Sequence, residues 1–202
     1  MSDAAPPTER HLTTRGEERR EQIVRCATRR FAEHGVHETS VSRIVDELGV
    51  GKGVFYWYFP SKDTLVVEII SSALGDLRTT QRHALATATD PLGRISEALR
   101  ASMRWYANNP DHVRLFEWAD SQEGFADQMR AAREVAQADI ERHVRAAVSQ
   151  GQIPPGHPAI RAEAVLGASQ RLARGVIRNR GIEPEEVAEA AIRFCLAGLQ
   201  AG

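Results

Sequence analysis

The sequence predicts an all-α protein, and three observations support this fold class. Alanine, arginine, glutamate and leucine dominate the chain, and all four have high helix propensity. Aromatic residues make up only 6% of it, and no run of β-branched residues alternates with polar ones. Apolar residues instead recur at spacings of three and four, as they do on one face of a helix. Together these features predict about nine helices, no strands and no internal repeat.

The first helix is predicted over about residues 17–34. It follows sixteen polar residues that are expected to form a disordered tail. Ile23, Ala27 and Phe31 lie four residues apart and form one apolar stripe. Gly35 comes next, where a left-handed glycine ends many helices.

Two short helices are predicted next, over about residues 41–48 and 52–59. Ser40 is expected to cap the first of them because its hydroxyl can accept from a free backbone amide. Gly49 ends that helix, and Pro60 closes the one that follows. The pattern indicates two helices joined by a tight turn.

The apolar positions of these two helices interlock. Ile44 and Leu48 on the first helix face Phe55 on the second, which favours the crossing angle of about 90–120° of a helix-turn-helix unit. The aromatic run 56–58 then lies on a helix of only two turns, so at least one ring must be exposed. Exposed tyrosines can donate to phosphate oxygens.

Locally placed cations, rather than a global positive field, must carry any binding to DNA. The net charge is −1, which does not indicate a general polyanion binder. The chain has 24 arginines but only two lysines, Lys52 and Lys62, and both lie in this segment. Gly51 and Gly53 remove side chains where the helix would approach DNA. These features favour a DNA-binding unit over a core hairpin with incidental aromatic residues.

The remainder of the chain predicts six further helices. Sparse breakers, among them a proline- and glycine-rich loop at 151–158, place these helices over about residues 62–87, 91–108, 111–119, 123–149, 159–179 and 184–199. We therefore divide the chain into a tail (1–16), a DNA-binding domain (17–62) and a larger helical domain (63–202).

The sequence lacks the motifs of enzymes, metal sites and membrane spans. No stretch approaches about 20 apolar residues, and the N-terminus lacks the apolar centre of a signal peptide, so a cytoplasmic protein is expected. No His-Glu-x-x-His pair or phosphate-binding loop is present, and Gly167-Ala-Ser169 lacks the second glycine of a nucleophile elbow. We expect no catalytic residue, metal or cofactor. Cys26 and Cys195 are predicted as small core residues, and the sequence leaves a redox role open.

About fifty residues, from Arg20 to Ile70, resemble the N-terminal domain of the tetracycline-repressor (TetR) family of bacterial regulators. The resemblance rests on Ile23, Ala27, Phe31 and Gly35, then Thr39-Ser40-Val41, Ile44 and Gly49-Val50, and finally the run Gly53 to Phe59, Ser61-Lys62-Asp63 and Leu65. Gly51 stands where the family commonly has serine, and Val45 or Asp46 where alanine is usual. These departures bear on operator preference.

The resemblance implies a set of DNA contacts. By position, Ser40, Ser42 and Arg43 would contact phosphates or nearby bases. Lys52, Gly53 and Val54 would contact base edges. The DNA backbone would be contacted by Tyr56, Trp57, Tyr58 and Lys62. Arg43 and Lys52 are the best candidates for reading bases. Ser42 is explained almost equally well as a water-exposed helix residue.

The resemblance also implies a C-terminal domain that dimerises through its last two helices and often holds a ligand pocket. The expected dimer seam combines two stripes, Val165, Ala168, Leu172 and Val176 on one helix and Val187, Ala191 and Phe194 on the other. Two such stripes exceed what one protomer is expected to bury, so a homodimer is expected.

Large apolar residues are most enriched between residues 103 and 129, which predicts the position of the pocket. The expected lining residues are Met103, Trp105, Phe116, Trp118, Phe125 and Met129, with Gln170 and Arg174 approaching from a later helix. The effector is expected to be mostly apolar, and the sequence does not fix the sign of any charged end.

The expected function is that of a homodimeric repressor that binds a palindromic operator and is released by a small molecule. Two alternatives stay open, namely a ligand-independent DNA-binding regulator and an activator that uses the same DNA-binding domain.

Overall fold

The computed structural model describes residues 13–178 and 182–201, with side chains described as far as residue 175 in the first range. These residues form nine α-helices, one short 3₁₀ helix and no strand, so the all-α prediction is confirmed. The helices are α1 (Thr14–His34), α2 (Val41–Glu47), α3 (Lys52–Tyr58), α4 (Lys62–Leu85), α5 (Pro91–Asn108), α6 (Pro110–Asp120), α7 (Ala126–Ser149), α8 (Pro158–Arg178) and α9 (Pro184–Gln200), with the 3₁₀ helix at Glu123–Phe125.

The chain divides into two compact units, of which the first ends at Val66 and the second begins at Val67. The expected boundary at residue 62 lies four residues earlier. Helix α4 runs through both positions without a break, so the second unit begins after its first turn. Each unit has its own buried core, with Phe55 at the centre of the first and Ile95 in the second.

Helix α1 begins three residues before the predicted position. The Thr13 hydroxyl accepts from the Gly16 amide at 3.3 Å and caps the helix. This cap offsets the low helix propensity of Gly16 in the first turn. The expectation of a disordered tail is therefore wrong for residues 14–16, and residues 1–12 of that tail lie outside the described residues.

Two glycines with positive φ shape the turns on either side of α2. Gly35 ends α1 at φ 88°, and Gly49 follows α2 at φ 64°, a conformation that glycine adopts without steric cost. Between them Ser40 caps α2 as predicted, because its hydroxyl accepts from the Arg43 amide at 3.3 Å. The turn after α2 is closed by a hydrogen bond from the Val50 amide to the Val45 carbonyl at 3.0 Å.

Polar contacts fix α2 against α1 at both ends. The Glu47 carboxylate accepts from the guanidinium groups of Arg29 and Arg30. The buried Thr39 hydroxyl donates to the Gly35 carbonyl at 2.8 Å, which holds the turn before α2. Burial of Ile44 and Phe55 between these contacts completes the helix-turn-helix core.

Lys62 closes the first unit from the start of α4. Its half-buried ammonium donates to the Val36 carbonyl at 2.7 Å and to the Thr39 carbonyl at 3.2 Å. The expected contact of Lys62 with a phosphate stays a prediction, because two backbone carbonyls take up two of the three N–H donors of its ammonium. Its principal role in this structure is to fasten the α1–α2 turn to α4.

Replacing Lys62 with methionine should therefore destabilise the protein. The variant Lys62→Met keeps the aliphatic chain and removes both hydrogen bonds, so we expect a loss of about 1–2 kcal/mol in the free energy of unfolding. Lys52→Met, at an exposed position, is the matched control and should change stability by less than about 0.5 kcal/mol. Urea denaturation followed by circular dichroism measures both, and equal stability of the two variants would contradict this role for Lys62.

Candidate nucleic-acid interface and ligand cavity

Helix α3 has one buried ring and three exposed neighbours. Phe55 is fully buried and packs against Phe59, with ring centroids 5.7 Å apart. Tyr56 and Trp57 are 53% and 52% exposed, and Val54 is exposed beside them. Because seven residues make only two turns, the burial of Phe55 directs this apolar and aromatic set to solvent. Such a set is unusual for a surface with no partner.

The glycines at the start of α3 have no structural requirement within the protomer. Gly51 and Gly53 both have ordinary backbone conformations, and a Cβ built on either residue would meet no atom within 4 Å. Packing in the described part of the chain therefore does not explain glycine at these positions. Close approach by an outside surface does explain it, because each missing side chain brings the backbone nearer to that surface.

Cations near α3 differ from those on α1 in their ionic partners. On α1, Arg25 pairs with Glu21 at 3.1 Å, and Arg29 and Arg30 share Glu47. Arg43 and Lys52 are exposed and form no ion pair with any described residue. Positive charge is therefore uncompensated on the helix-turn-helix surface although the whole chain carries a net charge of −1.

The remaining predicted DNA-contact residues lie on the same two-helix unit. Ser40 is exposed and serves as the cap of α2, whereas Ser42 is half-buried. Tyr58 is half-buried and meets Trp57 edge to face, with centroids 4.5 Å apart. The structure thus brings all of the predicted positions, Lys62 included, to exposed or half-buried sites.

The second unit contains a partly open cavity of about 460 Å³ that is lined by α4, α5, α6, α7 and α8. This volume lies in the range of small-molecule sites. Four of the residues predicted to line a pocket do so, namely Phe116, Met129, Gln170 and Arg174. Only six lining residues lie in the predicted segment 103–129, and the others come from α4, α5, α7 and α8, so the sequence located part of the cavity and half of its predicted lining residues.

The other four predicted residues pack elsewhere, and their assignment is corrected. Met103 is buried in a core cluster with Ala173 and residues of α9. Trp105 stacks behind Phe116, with centroids 6.0 Å apart, and its indole N–H donates to an Asp76 carboxylate oxygen at 2.6 Å.

The last two of these rings form a pair of their own. Trp118 and Phe125 meet each other with centroids 5.0 Å apart rather than lining the cavity. Adjacent helical residues point in different directions, so enrichment along the sequence did not show which rings face inward.

Tyr106 and His143 are two of the polar lining residues that the prediction did not include. Helical spacing carries a signal for Tyr106, since it lies seven residues after Leu99 and four after Ser102, which also line the cavity. The corresponding signal for His143 is its position three residues after Ile140 on α7. Burial raises the pKa of Tyr106 to about 12 and lowers the pKa of His143 below its usual range.

One end of the cavity carries charges that compensate each other. Arg174 donates to an Asp120 carboxylate oxygen at 2.8 Å and lies 3.9 Å from Glu117. The other Asp120 oxygen accepts from Arg133 at 2.5 Å. Two guanidinium groups and two carboxylates thus form a neutral cluster.

Most of the predicted dimer-seam residues belong to the core of their own protomer. Val165, Val187 and Ala191 are buried, and Ala168 and Leu172 pack partly against the same two core clusters. Their assignment to a seam is corrected for this reason, whereas the side chain of Val176 lies outside the described residues. Phe194 alone is strongly exposed, at 71%.

Helices α8 and α9 nevertheless keep an exposed apolar face each. These faces lie on the sides opposite the buried stripes and consist of Ile160, Ala164 and Gly167 on α8 and Ala190, Phe194, Ala197 and Gly198 on α9. Ile160 is 66% exposed. The two helices pack against each other within the protomer. Helical periodicity found apolar stripes, but α8 and α9 each have two, and among the described side chains predicted for the seam only Phe194 lies on an outer one.

Two family models match nearly the whole described chain. Residues 23–69 match "Bacterial regulatory proteins, tetR family", and residues 88–199 match "Tetracyclin repressor-like, C-terminal domain". The second match alone covers more than half of the chain. None of the described helices is long and apolar enough to cross a membrane.

Relatives of known function are transcriptional regulators. The regulator TtgR of Pseudomonas putida is 29% identical over 191 residues, which cover 88% of this chain and 87% of that protein. The activator FasR of Mycolicibacterium smegmatis is 31% identical over 99 residues, 49% of this chain and 45% of that protein. The match with the repressor KstR2 of the same organism is 33% over 84 residues, 42% of this chain and 41% of that protein. The chain therefore matches less than half the length of two of these relatives.

Solved structures show the same fold. A TetR-like regulator from Rhodococcus sp. RHA1 superposes with a TM-score of 0.79 at 20% identity, over 96% of this chain and 100% of that one. The TetR-family regulator PfmR of Thermus thermophilus superposes with a TM-score of 0.76 at 27% identity, over 88% of this chain and 98% of that one. With family models, relatives and structures in agreement, this chain belongs to the tetR family of bacterial regulatory proteins.

Proposed function

We propose that this protein is a homodimeric repressor that binds a palindromic operator in the cytoplasm and is released by a small, mostly apolar effector. The observation that carries the proposal is the surface of α3, where exposed aromatic residues and two unrequired glycines stand beside the uncompensated cations of Arg43 and Lys52. A DNA groove meets all of these features at once, because phosphates attract the cations and the bases approach the bare backbone.

The residues of this surface divide into two roles. Arg43 and Lys52 extend unpaired donors and read base edges, together with Gly53 and Val54 at the start of α3. Tyr56, Trp57 and Tyr58 contact phosphate and sugar, with Ser40 and Ser42 beside them. Lys62 contributes indirectly, because it holds the α1–α2 turn that positions Ser40.

The exposed apolar faces of α8 and α9 form the homodimer interface. Ile160 and Phe194 are large apolar side chains with no cover in the protomer, and small residues beside them allow close helix approach. A two-fold axis would bring the faces of one protomer against those of its partner and bury both large residues. The same axis pairs two α3 helices, so the operator is a palindrome with half-site centres about 10–20 base pairs apart.

The cavity in the second unit is the effector site. A ligand that binds more tightly to a conformation with low operator affinity shifts the population toward that conformation by its difference in affinity. The presence of the cavity favours this ligand-responsive function over a ligand-independent regulator. Relatives include both an activator and repressors, so promoter measurements decide the direction of regulation.

One experiment tests the proposal as a whole. Fragments of genomic DNA from the source organism are selected on the purified protein, footprinted, and placed upstream of a reporter gene. We expect a palindromic footprint, lower transcription when the protein is present, and recovery when an apolar compound that binds the protein is added. A footprint of one isolated half-site, or higher transcription with the protein present, would contradict the dimer or the repressor respectively.

Substitutions on α3 should separate backbone contacts from base contacts. Tyr56→Phe removes one hydroxyl, so we expect equal losses of about 0.5–1.5 kcal/mol on operator and random DNA. Lys52→Ala should cost about 1–3 kcal/mol on the operator and less on random DNA.

Fluorescence anisotropy at fixed salt measures these affinities. The control is Arg25→Ala, which also removes a cation, but one already paired with Glu21, and it should change neither affinity appreciably. Equal losses for Lys52→Ala on both DNAs would contradict its role in base reading.

A charge on the exposed face of α9 should separate the protomers. Because a carboxylate at the centre of an apolar interface is left without a partner, Phe194→Glu is expected to sediment as a monomer at micromolar concentration, where the wild type is a dimer. Its operator affinity should fall by about 100-fold or more, since the second half-site is no longer tethered. Val67→Glu, at an exposed aliphatic residue on α4, is the control and should remain dimeric. A wild-type monomer that binds the operator tightly would contradict the proposal.

A further inference from the structure

We propose that the cavity selects an uncharged, mostly apolar molecule that carries at least two hydrogen-bonding groups, and that Tyr106 and Gln170 recognise those groups. This inference rests on the proposed effector function of the cavity and makes its ligand class specific. Three features of the lining support it, namely its apolar walls, its unpartnered polar groups and its compensated charges.

The walls of the cavity are largely aliphatic and aromatic. Large apolar residues reach it from every surrounding helix, among them Leu77 on α4, Ile95 and Leu99 on α5, Phe116 on α6 and Val165 on α8. A ligand that replaces water along such walls gains free energy in proportion to the apolar area that it buries. The body of the ligand is therefore apolar.

Three polar side chains line the cavity without a hydrogen-bond partner among the described residues. They are the Tyr106 hydroxyl on α5, the His143 imidazole on α7 and the Gln170 amide on α8. His143 is more than nine-tenths buried. Ser102, by contrast, donates to the Ala98 carbonyl at 2.7 Å and accepts from Gln81 at 2.8 Å. Their polar atoms are accessible to water rather than sealed in the core, so water can pair with them in the empty protein, and a ligand that displaces this water has to supply the same hydrogen bonds.

The protonation of these groups suits a neutral ligand. Burial keeps Tyr106 a protonated hydroxyl by raising its pKa to about 12, so it can both donate and accept. Burial, followed by the nearby charges of Arg142 and Arg94, lowers the pKa of His143, and only Asp139 opposes the shift. His143 is therefore neutral at neutral pH and presents one donor and one acceptor nitrogen.

All but one of the charged residues that line the cavity pair with an opposite charge. Arg174 and Arg133 are matched by Asp120 and Glu117 in the neutral cluster, and Arg78 lies 3.5 Å from Asp139. Arg82 is the exception; it is exposed, and its guanidinium donates to the Thr79 hydroxyl. A buried carboxylate or ammonium on the ligand would lose its hydration without gaining an uncompensated partner, which is costly. Hydroxyl, carbonyl and amide groups avoid that cost.

A matched series of four probes tests this selectivity on the protein alone. Dihydroxybiphenyl, biphenyl, biphenylcarboxylate and biphenylmethylammonium share one rigid apolar frame and differ in their polar ends. Their affinities are measured at neutral pH by isothermal titration calorimetry on the full chain. We expect dihydroxybiphenyl to bind at least about tenfold more tightly than either ion and more tightly than biphenyl. Tighter binding of either ion, or no binding by any of the four, would overturn the inference.

Two substitutions test the named residues. Tyr106→Phe and Gln170→Leu should each weaken dihydroxybiphenyl binding by roughly three- to tenfold and leave biphenyl binding unchanged, since the apolar walls are kept. Unchanged biphenyl binding also shows that the cavity remains folded in the variant. Gln150→Leu, at an exposed residue that follows α7, is the control and should alter neither affinity. If both cavity variants bind dihydroxybiphenyl like the wild type, the assignment of these residues is wrong.

The outcome is independent of the proposed repressor function. Probe affinities are measured without DNA, whereas the effect of each probe on operator binding is measured separately by fluorescence anisotropy. Dihydroxybiphenyl that binds as expected but leaves operator affinity unchanged would support the ligand class and count against effector release. If biphenylcarboxylate binds most tightly and releases the operator, effector release is supported and the uncharged ligand class is contradicted.

Discussion

A helix of seven residues cannot hold its shape alone in water, and the surface proposed to read DNA in this protein is such a helix. Helix α3 depends on Phe55, the one side chain that it buries completely. Three neighbouring features hold the helices that bury the Phe55 ring. They are the positive-φ turn at Gly49, the cap of α2 and the ion pairs of Glu47 with α1. Because one position faces inward, its neighbours are free to face outward, so the same contact gives α3 both its stability and its reading surface.

The cavity differs from the first unit in its polar groups, because several of them have no hydrogen-bond partner within the described protein and are proposed to bind a ligand. In the first unit the polar groups of the turn before α2 are satisfied internally, as by Thr39 and Lys62. In the second unit Tyr106, His143 and Gln170 face a space and remain without protein partners among the described residues. Water can pair with these groups in the empty protein, so a ligand that replaces that water must supply equivalent hydrogen bonds. The polar lining is therefore proposed to contribute selectivity.

The sequence predicted the helix-turn-helix unit more fully than the cavity. Helix-turn-helix residues are close along the chain, so caps, turns and spacing nearly determine their arrangement, whereas the backbone contacts of Lys62 were not predicted. The cavity depends on which side of each helix faces inward. Trp105 and Tyr106 are adjacent, yet one stacks behind the wall and the other lines it. In the same way α8 carries apolar residues on two faces, and whether Val165 or Ile160 points outward depends on α5, α7 and α9, which sequence spacing does not place.

In the proposed function, ligand binding in the second unit changes DNA binding by the first, so one structural element must take part in both. Helix α4 is the helix that belongs to both units. At its N-terminal end Lys62 holds the α1–α2 turn through two backbone carbonyls. In the second unit it lines the cavity with Leu77, while Asp76 accepts from Trp105 and Gln81 donates to Ser102. Two hydrogen bonds to α5 give α4 a defined position, and a movement of α4 has to exchange them. Under the proposed function, a ligand would change DNA affinity only so far as its contacts favour one conformation of α4 over another, because equal affinity for both shifts nothing.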